Sequence, residues 1–342
     1  MSDTEAFINN MPKAELHIHI EGTLEPQMRL DIARRNGIAQ EFDTVESLAS
    51  SYQFKDLAGF LRLYFGGIEV LQTSRDFFDV TYAYLERVSK DNVVYCEMHF
   101  DPQAHTVRGV GFKEVISGIH DAQLKARKAF GIRSELILGI VRDMSPASAM
   151  ATLDEATNYK DWIIGVGLDS TEKDNPPIKF KHVFKRARDE GYRITMHCDH
   201  DQDDSIEHIR QCIEDIGVDR IDHGYNSLEE ENISNEIVRL GIPLTFCLTS
   251  NPSTPGYPRR AVELKEALAR GISVSVNTDD PAYMLSYYMN EVFSNVQREL
   301  SLPFDQLVQL SRNSFEGSWL PRDEKDFYLS LLDSYVEKNN LV

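Results

Sequence analysis

Ala14-Glu15-Leu16-His17-Ile18-His19-Ile20, running into Glu21-Gly22, reads as a β-strand with chemistry at its C-terminal end. Strand geometry sends alternate side chains to one face, so His17 and His19 point together while Leu16, Ile18 and Ile20 take the other side. Two inward imidazoles pack poorly as core unless something ligates them, and neutral imidazole is a favoured zinc ligand. A His-x-His pair alone is more often two hydrogen-bonded polar side chains. The rest of the chain decides between these readings.

Seven further short, β-branched or apolar runs follow: Val93–Phe100, Glu135–Val141, Ile163–Asp169, Arg193–Cys198, Arg220–His223, Leu244–Leu248 and Ser273–Asn277. Several are nearly continuous in apolar residues, as expected of parallel strands covered on both faces. Amphipathic segments with charged faces lie between them, for example Pro177–Glu190 and Arg260–Arg270, the latter stopped by Gly271. Strands alternating with helices imply an α/β protein with a parallel sheet, and eight such units imply closure into a (β/α)8 TIM-type barrel. An open doubly wound sheet is the runner-up, but no G-x-G-x-x-G follows the first strand and there is no Walker loop. The helical stretch from Thr23 to about Lys90 exceeds a simple crossover and reads as an insertion after the first strand. With no repeat, low-complexity tract or linker, residues 1–342 are expected to form a single barrel domain.

Composition narrows the function. A net charge of −19, from 36 basic and 55 acidic residues, argues against nucleic-acid or anionic-membrane partners. No run approaches 18 apolar residues, and the N-terminus lacks a basic region followed by an apolar one. A cytoplasmic protein with a small-molecule partner is expected, and homo-oligomer formation is compatible with the sequence. Cys96, Cys198, Cys212 and Cys247 show no CxxC spacing and read as reduced thiols.

Acidic and imidazole groups gather at the C-terminal ends of the runs, where a barrel places its active site. The fifth ends Thr195-Met-His197-Cys-Asp199-His200-Asp201, the sixth Ile221-Asp-His223-Gly224, and the eighth Val276-Asn-Thr-Asp279-Asp280-Pro281. Each alone is more often a helix cap or a satisfied side chain, but four at corresponding strand ends would not share a rim by accident. Three imidazoles and a carboxylate leave an open zinc position for water, the usual catalytic arrangement.

Met11-Pro-Lys-Ala-Glu-Leu-His-Ile-His-Ile-Glu-Gly-Thr-Leu-Glu-Pro26 resembles the opening of the adenosine/adenine deaminase family of the amidohydrolase superfamily. The similarity continues in order through Val166–Asp169, Arg220–Gly224, Thr249–Asn251, Val276–Pro281 and Asn313–Glu316. The resemblance implies that His17, His19, His197 and Asp279 hold one Zn2+ per chain. It implies that His223 orients or deprotonates the attacking water, that Asp280 hydrogen-bonds the purine, and that the Gly167 N–H contacts a ring nitrogen. Glu21 and Val166-Gly-Leu-Asp169-Ser-Thr-Glu172 resemble the adenine branch, with Glu21 filling the space a ribose would need and Asp169 beside the substrate. The activity implied is zinc-dependent deamination of a 6-aminopurine, foremost adenine to hypoxanthine and ammonia. Adenosine, an N6-substituted adenine and a non-purine substrate are the alternatives.

The pattern breaks at the fifth strand, where the family's His-Ala-Gly-Glu carries a proton-donating Glu. Here the stretch is His197-Cys198-Asp199-His200, and no Glu stands beside it. On a regular strand Asp199 shares the inward face with His197, whereas a turn after Cys198 would present His200. Asp199 is favoured as proton donor, His200 follows, and Asp201 is a third candidate. Leu248 also replaces a usual Pro.

Overall fold

The computed structural model describes residues 3–198, 203–248, 259–284 and 287–339. Eight parallel strands follow one another in chain order: β1 (Lys13–His19), β2 (Val93–Phe100), β3 (Arg133–Val141), β4 (Ile163–Asp169), β5 (Arg193–Cys198), β6 (Arg220–His223), β7 (Leu244–Cys247) and β8 (Val274–Asn277). They are the eight runs read from the sequence, with ends moved by a residue or two; their apolar residues are buried towards both the interior and the surrounding helices. The expected helix over 177–190 is two pieces, a 3-10 turn at Pro177–Phe180 and an α-helix at Lys181–Asp189.

The ring closes between β8 and β1 through few but specific bonds. Ile18 bridges Asp279, the His19 N–H donates to the Asp279 carbonyl at 3.0 Å, and the Asp279 N–H donates to the His17 carbonyl at 3.2 Å. The Leu16 N–H adds a bond to Asn277 Oδ1 at 2.8 Å. The seam is thus sewn by residues that carry the candidate chemistry.

Polar side chains inside the ring are paired below the mouth. Arg220 Nη1 meets Glu97 Oε2 at 2.5 Å, with both side chains fully buried. Glu97 Oε1 accepts from the Tyr95 hydroxyl (2.8 Å) and the Trp319 N–H (2.6 Å), and the guanidinium stacks on Trp319 at 4.1 Å. A buried charge is tolerable only when paired and hydrogen-bonded in this way.

The insertion after β1 is helical, as expected, with helices at Pro26–Asn36, Val45–Ser50, Leu57–Ile68 and Ser74–Ser89. The Asp56 side chain caps the third by accepting from the Gly59 N–H at 2.7 Å. Its residues Leu57, Phe60, Leu61, Tyr64 and Phe65 recur at three- and four-residue spacing, form one face, and line the cavity at the mouth.

Candidate active site

His17, His19, His197 and Asp279 meet at the C-terminal mouth, with ligand atoms all within 4.8 Å of one another. His19 Nε2 lies 3.0 Å from His197 Nε2, and Asp279 Oδ1 lies 3.3 Å from His17 Nε2 and 3.5 Å from His19 Nε2. Tetrahedral zinc with bonds of about 2.0–2.1 Å needs ligand-to-ligand edges of about 3.3 Å, so these spacings fit. His17 Nε2 is buried with no hydrogen-bond partner among the described residues, which a cation would supply.

Groups beneath the site fix the rings. His17 Nδ1 lies 3.0 Å from Thr245 Oγ1, and that hydroxyl donates to Asp222 Oδ1 at 2.8 Å. This leaves Nε2 of His17 facing the site, as outer-shell bonds do for metal-ligating histidines. Burial alone would raise the Asp222 carboxyl, but His17, His99 and Arg220 hold it well below the usual range. Arg142 Nη1 donates to the His197 carbonyl at 2.8 Å and anchors the end of β5. Burial pushes His19 down to about 4 and His197 well below its ordinary value, favouring the neutral, ligating form.

Backbone strain gathers at the same rim. Ser170, His223 and Asp279 adopt φ of 74°, 66° and 62°, a region that side-chain-bearing residues seldom enter. Each follows or ends a strand and turns its side chain towards the mouth. His223 Nε2 stands 3.7 Å from Asp279 Oδ2, while its Nδ1 lies 3.4 Å from the Tyr225 hydroxyl, which itself donates to the Cys247 carbonyl. His223 can therefore face a water held against Asp279. Asp280 has its carboxyl pushed up by burial and by the Asp279 charge, and lies against Gly22, where a Cβ would stand 1.9 Å from Asp280 Oδ1.

A cavity of about 420 Å³, open to solvent, is lined by His19, His197, His223, Asp279 and Asp280 on the barrel side and by the apolar helix face on the other. Asp101, Asp169 and Ser170 complete it. Among the expected substrate residues, Asp169 and Asp280 are brought to it.

Two are not. Gly167 lies inside β4, in register with Gly139 on one side and Thr195 on the other, and is not among the residues that line the cavity. Its missing side chain makes room for His99, whose Cε1 would stand 3.0 Å from a Cβ there. Glu21 is fully buried behind the lining, where its Oε1 accepts from the Asp101 N–H at 3.0 Å and lies 2.9 Å from His105 Nε2. Asp199, His200 and Asp201 lie outside the described residues. Asp101, Ser170 and the helix face were not singled out from sequence. Phe100-Asp101-Pro102 repeats the acid-then-proline signature of Asp279-Asp280-Pro281 and could have flagged Asp101. The four cysteines are free thiols, with Cys198 and Cys212 in sulfur contact at 3.3 Å.

An eight-stranded barrel with convergent imidazoles and aspartates at its C-terminal mouth is the architecture of an amidohydrolase. A family model described as adenosine deaminase matches residues 12–335. An uncharacterized deaminase of Schizosaccharomyces pombe is 46% identical over 98% of this chain and 99% of its own length. An adenine deaminase of Chlorobium luteolum is 40% identical over 98% of both. The crystal structure of an adenine deaminase from Arthrobacter aurescens superposes with a TM-score of 0.92 at 37% identity, covering 96% of this chain and 99% of that one. The chain belongs to the adenosine deaminase family, and it is a hydrolytic deaminase. No helix among the described residues is long and apolar enough to cross a membrane.

Proposed function

We propose that this chain deaminates adenine to hypoxanthine and ammonia, with one zinc ion held by His17, His19, His197 and Asp279. The observation that carries the reading is the convergence of those four ligand atoms beside His223 and Asp280 at the floor of one cavity. Zinc at such a site supplies a nucleophilic hydroxide at neutral pH by lowering the pKa of bound water. His223 takes a proton from, and with Asp279 orients, the water aimed at C6. Asp280 hydrogen-bonds the purine ring. Asp199, or His200 beside it, gives a proton to N1 as attack proceeds, a general-acid contribution of about 10²–10⁴ in rate. The apolar face from Leu57 to Phe65 covers the base and excludes water.

The lining favours a base over a nucleotide. It carries four carboxyl groups and, among the described residues, no lysine or arginine, so no cationic side chain of the lining would pair with a phosphate. The apolar face also suits an alkyl group on N6, which makes N6-methyladenine the second substrate to try.

The deciding experiment is steady-state assay of zinc-loaded protein with adenine, N6-methyladenine, adenosine and AMP, following the ultraviolet change to the 6-oxopurine. Adenine should give the highest kcat/KM and AMP none. No turnover of any 6-aminopurine by fully metallated protein would overturn the proposal. Asp199→Asn and His200→Ala should lower kcat with zinc retained, and the larger loss identifies the donor.

A further inference from the structure

Asp101 and Asp169 form an arrangement that the deamination chemistry does not use. They end or follow β2 and β4, line the same cavity, and are 4% and 2% exposed. Gly139 on β3 sits between them: a Cβ there would stand 1.9 Å from Asp101 Oδ1 and 2.7 Å from Asp169 Oδ2, so both oxygens crowd one point. Asp101 Oδ1 and both oxygens of Asp169 receive no N–H or O–H donor from any described residue other than each other. Buried acceptors left open this way call for a partner.

Two carboxyl groups face to face in a cavity cannot both ionise, so the pair keeps one proton between them. It then offers one donor and one acceptor side by side. Burial foremost pushes Asp169 up to about 7, and burial with the Asp169 and Glu21 charges raises Asp101 further. The complement of such a pair is an edge bearing an acceptor next to a donor. In an unsubstituted purine, N3 accepts, N9–H donates, and N3 lies para to C6. In the ring of eight strands β4 stands opposite β8. A base with C6 at Asp279 therefore aims its N3/N9 edge across the mouth.

Resting on the proposed 6-aminopurine reading, we infer that Asp101 and Asp169 select the free base by clasping N3 and N9–H between one shared proton and one open carboxylate oxygen. A ribosyl or methyl group on N9 removes the donor and leaves a carboxylate facing carbon.

The test compares adenine with 9-methyladenine on the full-length, zinc-loaded protein and its Asp101→Leu, Asp169→Leu, Asp101→Asn and Asp169→Asn variants. Binding of hypoxanthine and 9-methylhypoxanthine is measured by calorimetry alongside. The unaltered protein should prefer adenine by about 10³-fold in kcat/KM, as sites built to hydrogen-bond an N–H do. Each Leu variant should lose about 10²-fold on adenine and little on 9-methyladenine, shrinking the preference to about 10-fold or less. The Asn variants, which keep a donor and an acceptor at the substituted position without titrating there, should hold adenine within about 10-fold and lose the rise in KM that the unaltered pair shows below about pH 7, where it takes up its second proton. Equal losses on both substrates, or an unchanged preference in both Leu variants, overturn the inference while adenine turnover leaves the deaminase reading standing. Absence of purine turnover and binding in the unaltered protein would instead sink the reading beneath it.

Discussion

Gly22→Ala isolates the contact that seats Asp280. A Cβ at this position would lie 1.9 Å from Asp280 Oδ1, 2.7 Å from Cγ and 2.9 Å from Cα. Ordinary contact begins near 3.4 Å, and a clash reaching Cα cannot be relieved by turning the side chain alone. Gly22 does not need a left-handed backbone, so alanine strains nothing except this packing. Asp280 must shift by about 1 Å or more, and displacements of that size cost about 10²-fold in rate when they disturb reacting geometry. Overpacking should also lower stability by about 1–3 kcal/mol. The assay is kcat/KM on adenine together with zinc content and thermal midpoint. The expected result is a loss of about 10²-fold with zinc retained. Gly66→Ala is the control: it lies in the helix Leu57–Ile68, where a Cβ would meet nothing within 4 Å. It should gain about 0.5–1 kcal/mol and keep full activity. A Gly22→Ala protein within threefold of the unaltered enzyme would show that Asp280 is not held as described.

Three other perturbations follow from the packing. Glu97→Gln removes the nearer of the two buried carboxylates that face Arg220, leaving Asp222 at 3.5 Å, and should cost about 2–4 kcal/mol in urea unfolding; an unchanged midpoint would contradict the pairing. Chelation of the metal, or His197→Ala, should abolish turnover and lower the thermal midpoint; free zinc at 10³ times its Kd adds about 4 kcal/mol to the folded state, so an unchanged midpoint on chelation would count against the ligand set. Asp169 has a folded pKa of about 7 against an ordinary 3.8, so the native state takes up protons and loses stability as pH rises between those values. Asp169→Asn should therefore gain on the parent protein from pH 5 to pH 8, towards a ceiling on the order of 4 kcal/mol at about 1.4 per unit; a difference that does not vary with pH would contradict it.

The strands were legible because strands covered on both faces must be apolar almost throughout, and only runs such as Val93–Phe100 and Ile163–Asp169 meet that demand. The convergence of His17, His19, His197 and Asp279 was legible because strand ends in a barrel share a rim, which turns distant His-x-His and Asp-Asp-Pro signals into neighbours. Other features depend on tertiary placement. The docking of Leu57–Ile68 over the mouth is a property of where the insertion lands, and its apolar spacing alone would equally suit a core helix. The role given to Gly167 followed local similarity, and the residue sits within β4 beside His99, outside the residues that line the cavity. Glu21 was placed beside the substrate by resemblance to the adenine branch, yet the chain turns after His19 and sends its carboxylate to His105 and the Asp101 amide.

Joining the first and last strands through His17, His19 and Asp279 makes cohesion of the ring and occupancy of its mouth one equilibrium. Amide hydrogens at His19 and Asp279 should exchange with solvent slowly when the cation is bound and faster once it is stripped, while those deep in β3 and β4 keep their protection. A deaminase built this way reports the state of its centre through the hinge line of its own barrel, without substrate or turnover.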